Sequence, residues 1–148
     1  MAIDVTIAAI VHMAFAGLWT GSVLYFVGAV LPLARDGELN AAPLTALTDR
    51  LTTISRVSAV LLFLTGSHIA ARRYTVEPLT GDPNGHLVLT MVALWLVLTA
   101  LVEIGASRFG DGLAERKVRE PARNVLTIFR LAAVVAIGLL IVAGLLLG

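Results

Sequence analysis

From Val5 to Leu33 the chain carries no aspartate, glutamate, lysine or arginine. A helix needs roughly 20 apolar residues to cross about 30 Å of hydrocarbon, so this run has length to spare for tilt or interfacial ends. It is too long for a secretory signal, and Met1-Ala2-Ile3-Asp4 lacks the positive charge that opens one. Pro32 and the polar run Arg35-Asp36-Gly37-Glu38 close it. A second stretch begins amphipathic: Leu44, Leu47, Leu51, Ile54, Ser58 and Leu61 follow helical spacing, while Asp49 and Arg50 face elsewhere. Its start near Pro43 suits the membrane interface. Its apolar core runs from Val57 to Ala71, ending at Arg72-Arg73-Tyr74. Two more apolar runs cover about 86–106 and 125–147. In lipid every backbone polar group needs an internal partner, which leaves helices as the credible form. The expectation is one all-α domain over residues 1–148, an integral membrane four-helix bundle with helices at about 5–33, 51–73, 86–106 and 125–147.

Composition agrees, since 58% of residues are hydrophobic and 14% charged, where a soluble domain carries roughly a quarter charged. The absence of cysteine rules out disulfides, thiolate metal sites and thiol nucleophiles. A net charge of +1 without a basic stripe argues against a nucleic-acid partner and leaves the lipid bilayer as the expected one. Lys117 is the only lysine beside ten arginines, a usage typical of GC-rich genomes, and the expected location is the plasma membrane of a prokaryote, crossed several times. Four spans put both termini on one side. Arg35, Arg50, Arg56, Arg108, Arg116, Lys117, Arg119, Arg123 and Arg130 lie at the opposite side, against Arg72 and Arg73 on the terminal side. By the positive-inside rule both termini are extracytoplasmic.

The three histidines then share one layer. His12 sits about two turns into the first span, His68 near the end of the second, and His86 opens the third. Asp82-Pro83-Asn84-Gly85 has the residue preferences of a type I turn that would fix His86 at a pocket mouth. Intramembrane polar residues are costly enough to be functional by default. Neutral imidazoles suit copper, zinc and haem iron, and a thioether such as Met13 favours copper(I). Met13 follows His12 directly, so its side chain points about 100° away. Ala16, Trp19 and Val23 share the face of His12, and Thr65 or Thr90 is placed to hydrogen-bond a ligating ring. A histidine near the interface can equally meet water or headgroups.

A second polar group lies at the cytoplasmic side. Glu103, if buried, needs a cationic partner, and Arg56 or Arg130 can supply it as a structural ion pair. The basic stretch from Arg108 to Arg123 suits anionic headgroups. Gly17 and Gly21 form a GxxxG motif with Gly28 a heptad beyond Gly21. Small residues let helices approach closely, whether the partner is in this chain, a second copy or another membrane protein. Nothing resembles a nucleophile with its base, a phosphate-binding glycine loop or paired carboxylates, which leaves catalysis open and favours binding or transport.

Val11-His12-Met13-Ala14-Phe15-Ala16-Gly17-Leu18-Trp19-Thr20-Gly21, with Pro32 at the helix end, resembles the first helix of the copper resistance D (CopD) domain family. Arg56-Val57-Ser58 through Leu64-Thr65-Gly66 resembles its second helix, and Asn84-Gly85-His86-Leu87 the start of its third. The resemblance implies a four-helix unit that handles copper, here through His12, His68 and His86, loaded by an extracytoplasmic copper carrier. The layout is also similar to the J-type protoporphyrinogen oxidases, which implies haem b as an alternative, with His12 and His68 as axial ligands. A ligand-free membrane subunit is the third expectation.

Overall fold

The computed structural model describes residues 2–73 and 83–148. Helix α1 (Ile3–Tyr25) passes through a π-helical turn (Phe26–Val30) into the short α2 (Leu31–Arg35). α3 covers Ala41–Arg73, α4 Pro83–Ala114, α5 Arg119–Asn124 and α6 Leu126–Leu147. Four stretches are long and apolar enough to cross a bilayer: Ile3–Arg35, Ala41–Arg73, Gly85–Ala114 and Leu126–Leu147. No strand occurs among the described residues.

α1 packs against α3 and α6, and α4 packs against the same pair, so the long helices form a square with α1 and α4 on a diagonal. Neighbours are antiparallel: Asp4 meets Arg72, and Trp19 meets Ser55. Both termini therefore share one end of the bundle, here the terminal end. The α2–α3 and α4–α5 connections lie at the other, the loop end.

The exterior is apolar. Ile3, Ile7 and Ile10 on α1, Val60 and Leu64 on α3, Leu89 and Leu96 on α4, and Val134 and Ile141 on α6 are all exposed. Patches of this extent would drive association in water. In a bilayer, lipid tails cover them and the helices are held by close packing. Inside, Trp19, Val23, Leu98, Val102, Phe129, Ala132 and Ala136 are fully buried. Gly105 matters to this contact, because Phe129 Cζ lies 3.0 Å from where a Cβ would stand.

The core continues past the expected span limits at the loop end. α4 runs on from Ala106 to Ala114 because Phe109 and Leu113 follow one and two turns later on the same inward face. Its charged Arg108 and Asp111 point outward. Phe26 completes this layer, with its ring centroid 5.0 Å from that of Phe129 and 6.3 Å from that of Phe109. The short α5, which sequence reasoning did not anticipate, seats Pro121 directly on Gly112, where no Cβ would fit.

Two Schellman caps end helices there. Gly37 (φ 75°) closes α2, with Gly37 N–H donating to Ala34 O and Glu38 N–H to Leu33 O. Arg116 (φ 62°) closes α4 in the same way, with bonds to Leu113 O and from Lys117 N–H to Gly112 O. A left-handed residue with a Cβ costs roughly 1–2 kcal/mol. Arg116→Gly is therefore expected to raise unfolding stability in detergent by about 1 kcal/mol. A fall in stability would show that the arginine side chain contributes more than its backbone costs.

The π-helical turn answers Pro32. Proline has no N–H, and its ring would press on the carbonyl four residues back. Widening the preceding turn, with Leu31 N–H donating to Phe26 O, relieves that contact and keeps Phe26, Val30, Leu31 and Ala34 facing inward. Gly17, Gly21 and Gly28 meet nothing within 4 Å of an added Cβ, so no described part of this chain closes on the GxxxG face.

The turn expected at Asp82–Gly85 lies partly outside the described residues, and Pro83 to Gly85 are helical. Helix α4 begins at Pro83, whose fixed φ suits a first helical position. In the bundle centre Ser58 is fully buried, and its hydroxyl is the one buried side-chain polar atom without a partner among the described residues. An unsatisfied buried hydroxyl costs about 1–3 kcal/mol. Ser58→Ala is expected to stabilise the bundle by about 1 kcal/mol, read from the same unfolding measurement. A destabilised variant would mean that the hydroxyl has a partner after all.

Candidate functional site

The seam between α1 and α3 carries a ladder of polar contacts that starts at the terminal end. On α1, Asp4, Ala8, His12, Ala16, Trp19 and Val23 recur every three or four residues and so share one face. Leu61, Thr65, His68 and Arg72 do the same on α3. At the rim, the Oδ2 atom of Asp4 lies 2.9 Å from His68 Nε2 and accepts from Arg72 Nη2 at 2.9 Å. Two turns deeper on α1, His12 Nδ1 lies 2.8 Å from Thr65 Oγ1. Deeper again, Trp19 Nε1 donates to the buried Ser55 Oγ at 2.9 Å.

Depth sets the character of each contact. Asp4 and His68 are about two-fifths exposed, so their pair is a rim contact. His12 and Thr65 are half-buried between the helices. The His12 ring reaches α3 because residue 66 is glycine: its Cε1 lies 3.1 Å from where a Cβ would stand. Thr65 Oγ1 also donates to Leu61 O at 2.7 Å.

Two of the three histidines thus come to one seam, and each ring is held at one nitrogen by an oxygen. His86 does not join them. It lies exposed on the first turns of α4, a helix that packs against α3 and α6. Thr90, named as a partner for a ligating ring, donates to the backbone carbonyl of His86 at 2.8 Å. Met13 is half exposed on the face next to His12. Trp19, on the face of His12, is fully buried in the core. Among the described residues no three His, Asp or Glu side chains come together as a metal-holding group.

Neither Asp4 nor Gly66 is a site candidate from the sequence. The i, i+4, i+8 spacing of Asp4, Ala8 and His12 was a usable signal for the first. Gly66 entered only as the end of the second-helix resemblance, and its contact with His12 needs the neighbour across the seam.

The ion pair at the loop end involves Arg56 and Glu103. Arg56 Nε donates to Glu103 Oε1 at 2.7 Å and Nη2 to Oε2 at 3.0 Å, a bidentate pair. The pair forms without burial, the two side chains being 67% and 36% exposed. They line a groove of about 490 Å³ between α3 and α4 with Thr52, Asp49 and Asp111. Arg130 is exposed on α6 and makes no ion pair among the described residues. A smaller cleft of about 270 Å³ lies beside α5, lined by Arg108, Glu115, Lys117 and Glu120. Both hollows are at the loop end, away from the histidines.

Compared with known protein families, curated proteins and solved structures, the chain matches none.

Proposed function

We propose that this chain is a membrane protein that handles copper at the terminal end of its bundle, with His12 and His68 as the imidazole donors. One observation carries the proposal: both rings lie on the α1/α3 seam, and each is engaged at one nitrogen by an oxygen, Thr65 Oγ1 or Asp4 Oδ2. Ligating histidines characteristically use one ring nitrogen for the metal while a carboxylate or other acceptor orients the other. Two imidazoles suit copper, whereas a structural zinc site takes four protein ligands and a catalytic one three. The first-helix resemblance to the CopD domain points the same way.

Copper is cargo in this proposal, taken from an extracytoplasmic carrier. The nine-to-two excess of basic residues at the loop end supports placing that end in the cytoplasm. Exposed His86, at the same level, is the point of first contact. Below Thr65 the seam gives way to Trp19, Val23, Phe26 and Leu31, all buried. That packing favours capture and hand-off at the terminal end over passage through one chain. It also weighs against haem b held between His12 and His68, because the bundle interior is filled by side chains.

The test is an absorption spectrum of detergent-purified protein with metal analysis on the same sample. The proposal expects a colourless protein that takes up copper. A Soret band that shifts on reduction would replace copper by haem, and neither pigment nor copper uptake would leave a ligand-free subunit.

A further inference from the structure

We infer that Thr65 and Gly66 are positioning residues that hold His12 as its Nδ1–H tautomer, so that Nε2 carries the free lone pair. The assignment of Nε2 as the copper-binding atom rests on the function proposed above; the tautomer itself does not.

The inference follows from counting protons. A threonine hydroxyl has one proton to donate and two lone pairs that accept. Thr65 Oγ1 lies 2.7 Å from Leu61 O. A carbonyl oxygen only accepts, and two oxygens at that separation with no proton between them would repel. The hydroxyl proton therefore points to Leu61 O. What remains for His12 Nδ1, 2.8 Å away, is a lone pair. The ring must be the donor there. In a neutral imidazole a protonated Nδ1 leaves Nε2 bare, and that is the form a metal needs.

Gly66 makes the contact reachable. A Cβ at that position would stand 3.1 Å from His12 Cε1 and 3.6 Å from Nδ1. Such a contact is tighter than ordinary packing, so a side chain at 66 would force the ring to give by a few tenths of an ångström, which loosens its fit to Thr65. The adjacent Thr-Gly pair is thus one seat: the glycine admits the ring and the threonine sets its proton.

The experiment is ¹⁵N NMR of histidine-labelled, metal-free protein in detergent micelles, with His68→Gln and His86→Gln used to assign the His12 signals. The expected result is a pyrrole-type Nδ1 and a pyridine-type Nε2. The opposite pattern overturns the inference. Thr65→Ser, which keeps the hydroxyl, is expected to retain the wild-type pattern. Thr65→Val and Gly66→Ala, with helicity checked by circular dichroism, are expected to shift His12 toward a mixture of tautomers. An unchanged pure tautomer in both variants would overturn the role given to the seat. Adding copper(I) to the same samples addresses the function separately. Perturbation of Nε2, with affinity roughly 10–100-fold weaker in Thr65→Val, is the expected outcome. A wild-type tautomer as expected but blind to copper would leave the seat standing and sink the copper assignment alone.

Discussion

His12→Ala is expected to weaken copper binding by more than roughly 100-fold, beyond the range for losing an orienting partner of a metal ligand. The ring is half-buried and oriented by Thr65, and no neighbouring donor on α1 is placed to replace it: Met13 follows directly but faces the next sector, half exposed. His68→Ala should act in the same direction. Its loss is partly offset because Asp4 stays paired with Arg72 and the helix ends remain joined. His86→Ala should leave equilibrium affinity nearly unchanged, since His86 lies exposed on α4 and not on the seam. Competition titration with a copper(I) chelator measures all three. Equal, small effects across them would mean that copper, if bound, is not bound on the seam.

The largest effect on stability is expected from Trp19→Ala. The indole is fully buried, and its N–H satisfies the equally buried Ser55 hydroxyl. Truncating a core tryptophan costs about 3–5 kcal/mol, and the stranded Ser55 hydroxyl adds to that loss. Trp19→Phe should cost less, because most of the volume is kept and only the hydrogen bond goes. Denaturant unfolding in a fixed detergent, followed by circular dichroism, gives both values. A loss under about 1 kcal/mol for Trp19→Ala would contradict the packed core.

The spans could be read from the sequence because runs without charge, such as Val5 to Leu33, leave lipid as the only comfortable solvent. The helix ends could not. Arg108, Gly110, Asp111 and Gly112 look like the end of a span, yet Phe109 among them and Leu113 just after them are buried and carry α4 on to Ala114. Tertiary packing of two side chains outweighed local propensity there. Pro32 marked a disturbance in the first span, but the sequence does not say whether the backbone answers a proline with a kink, an end or the π-helical turn found here.

The candidate site divides in the same way. Thr65 was named as a partner for a ligating ring from helix-face spacing, and the structure places it on His12. Trp19 shares that face, but facing α3 at its depth means facing the core. Arg72 served only as a topology marker and turned out to hold Asp4. Asp4 shares the His12 face by its i, i+8 spacing, but what it pairs with becomes legible only with the opposite helix in place. Arg56 and Glu103, 47 residues apart, pair as their depth suggested, but on an open groove where an exposed pair contributes about 1 kcal/mol or less.

The most direct test of the account is copper K-edge X-ray absorption on purified protein loaded with one equivalent of copper(I). The account predicts the multiple-scattering signature of imidazole ligands, reduced in His12→Ala and in His68→Ala. A spectrum without imidazole scattering, or one that neither substitution alters, would contradict a copper site on the α1/α3 seam.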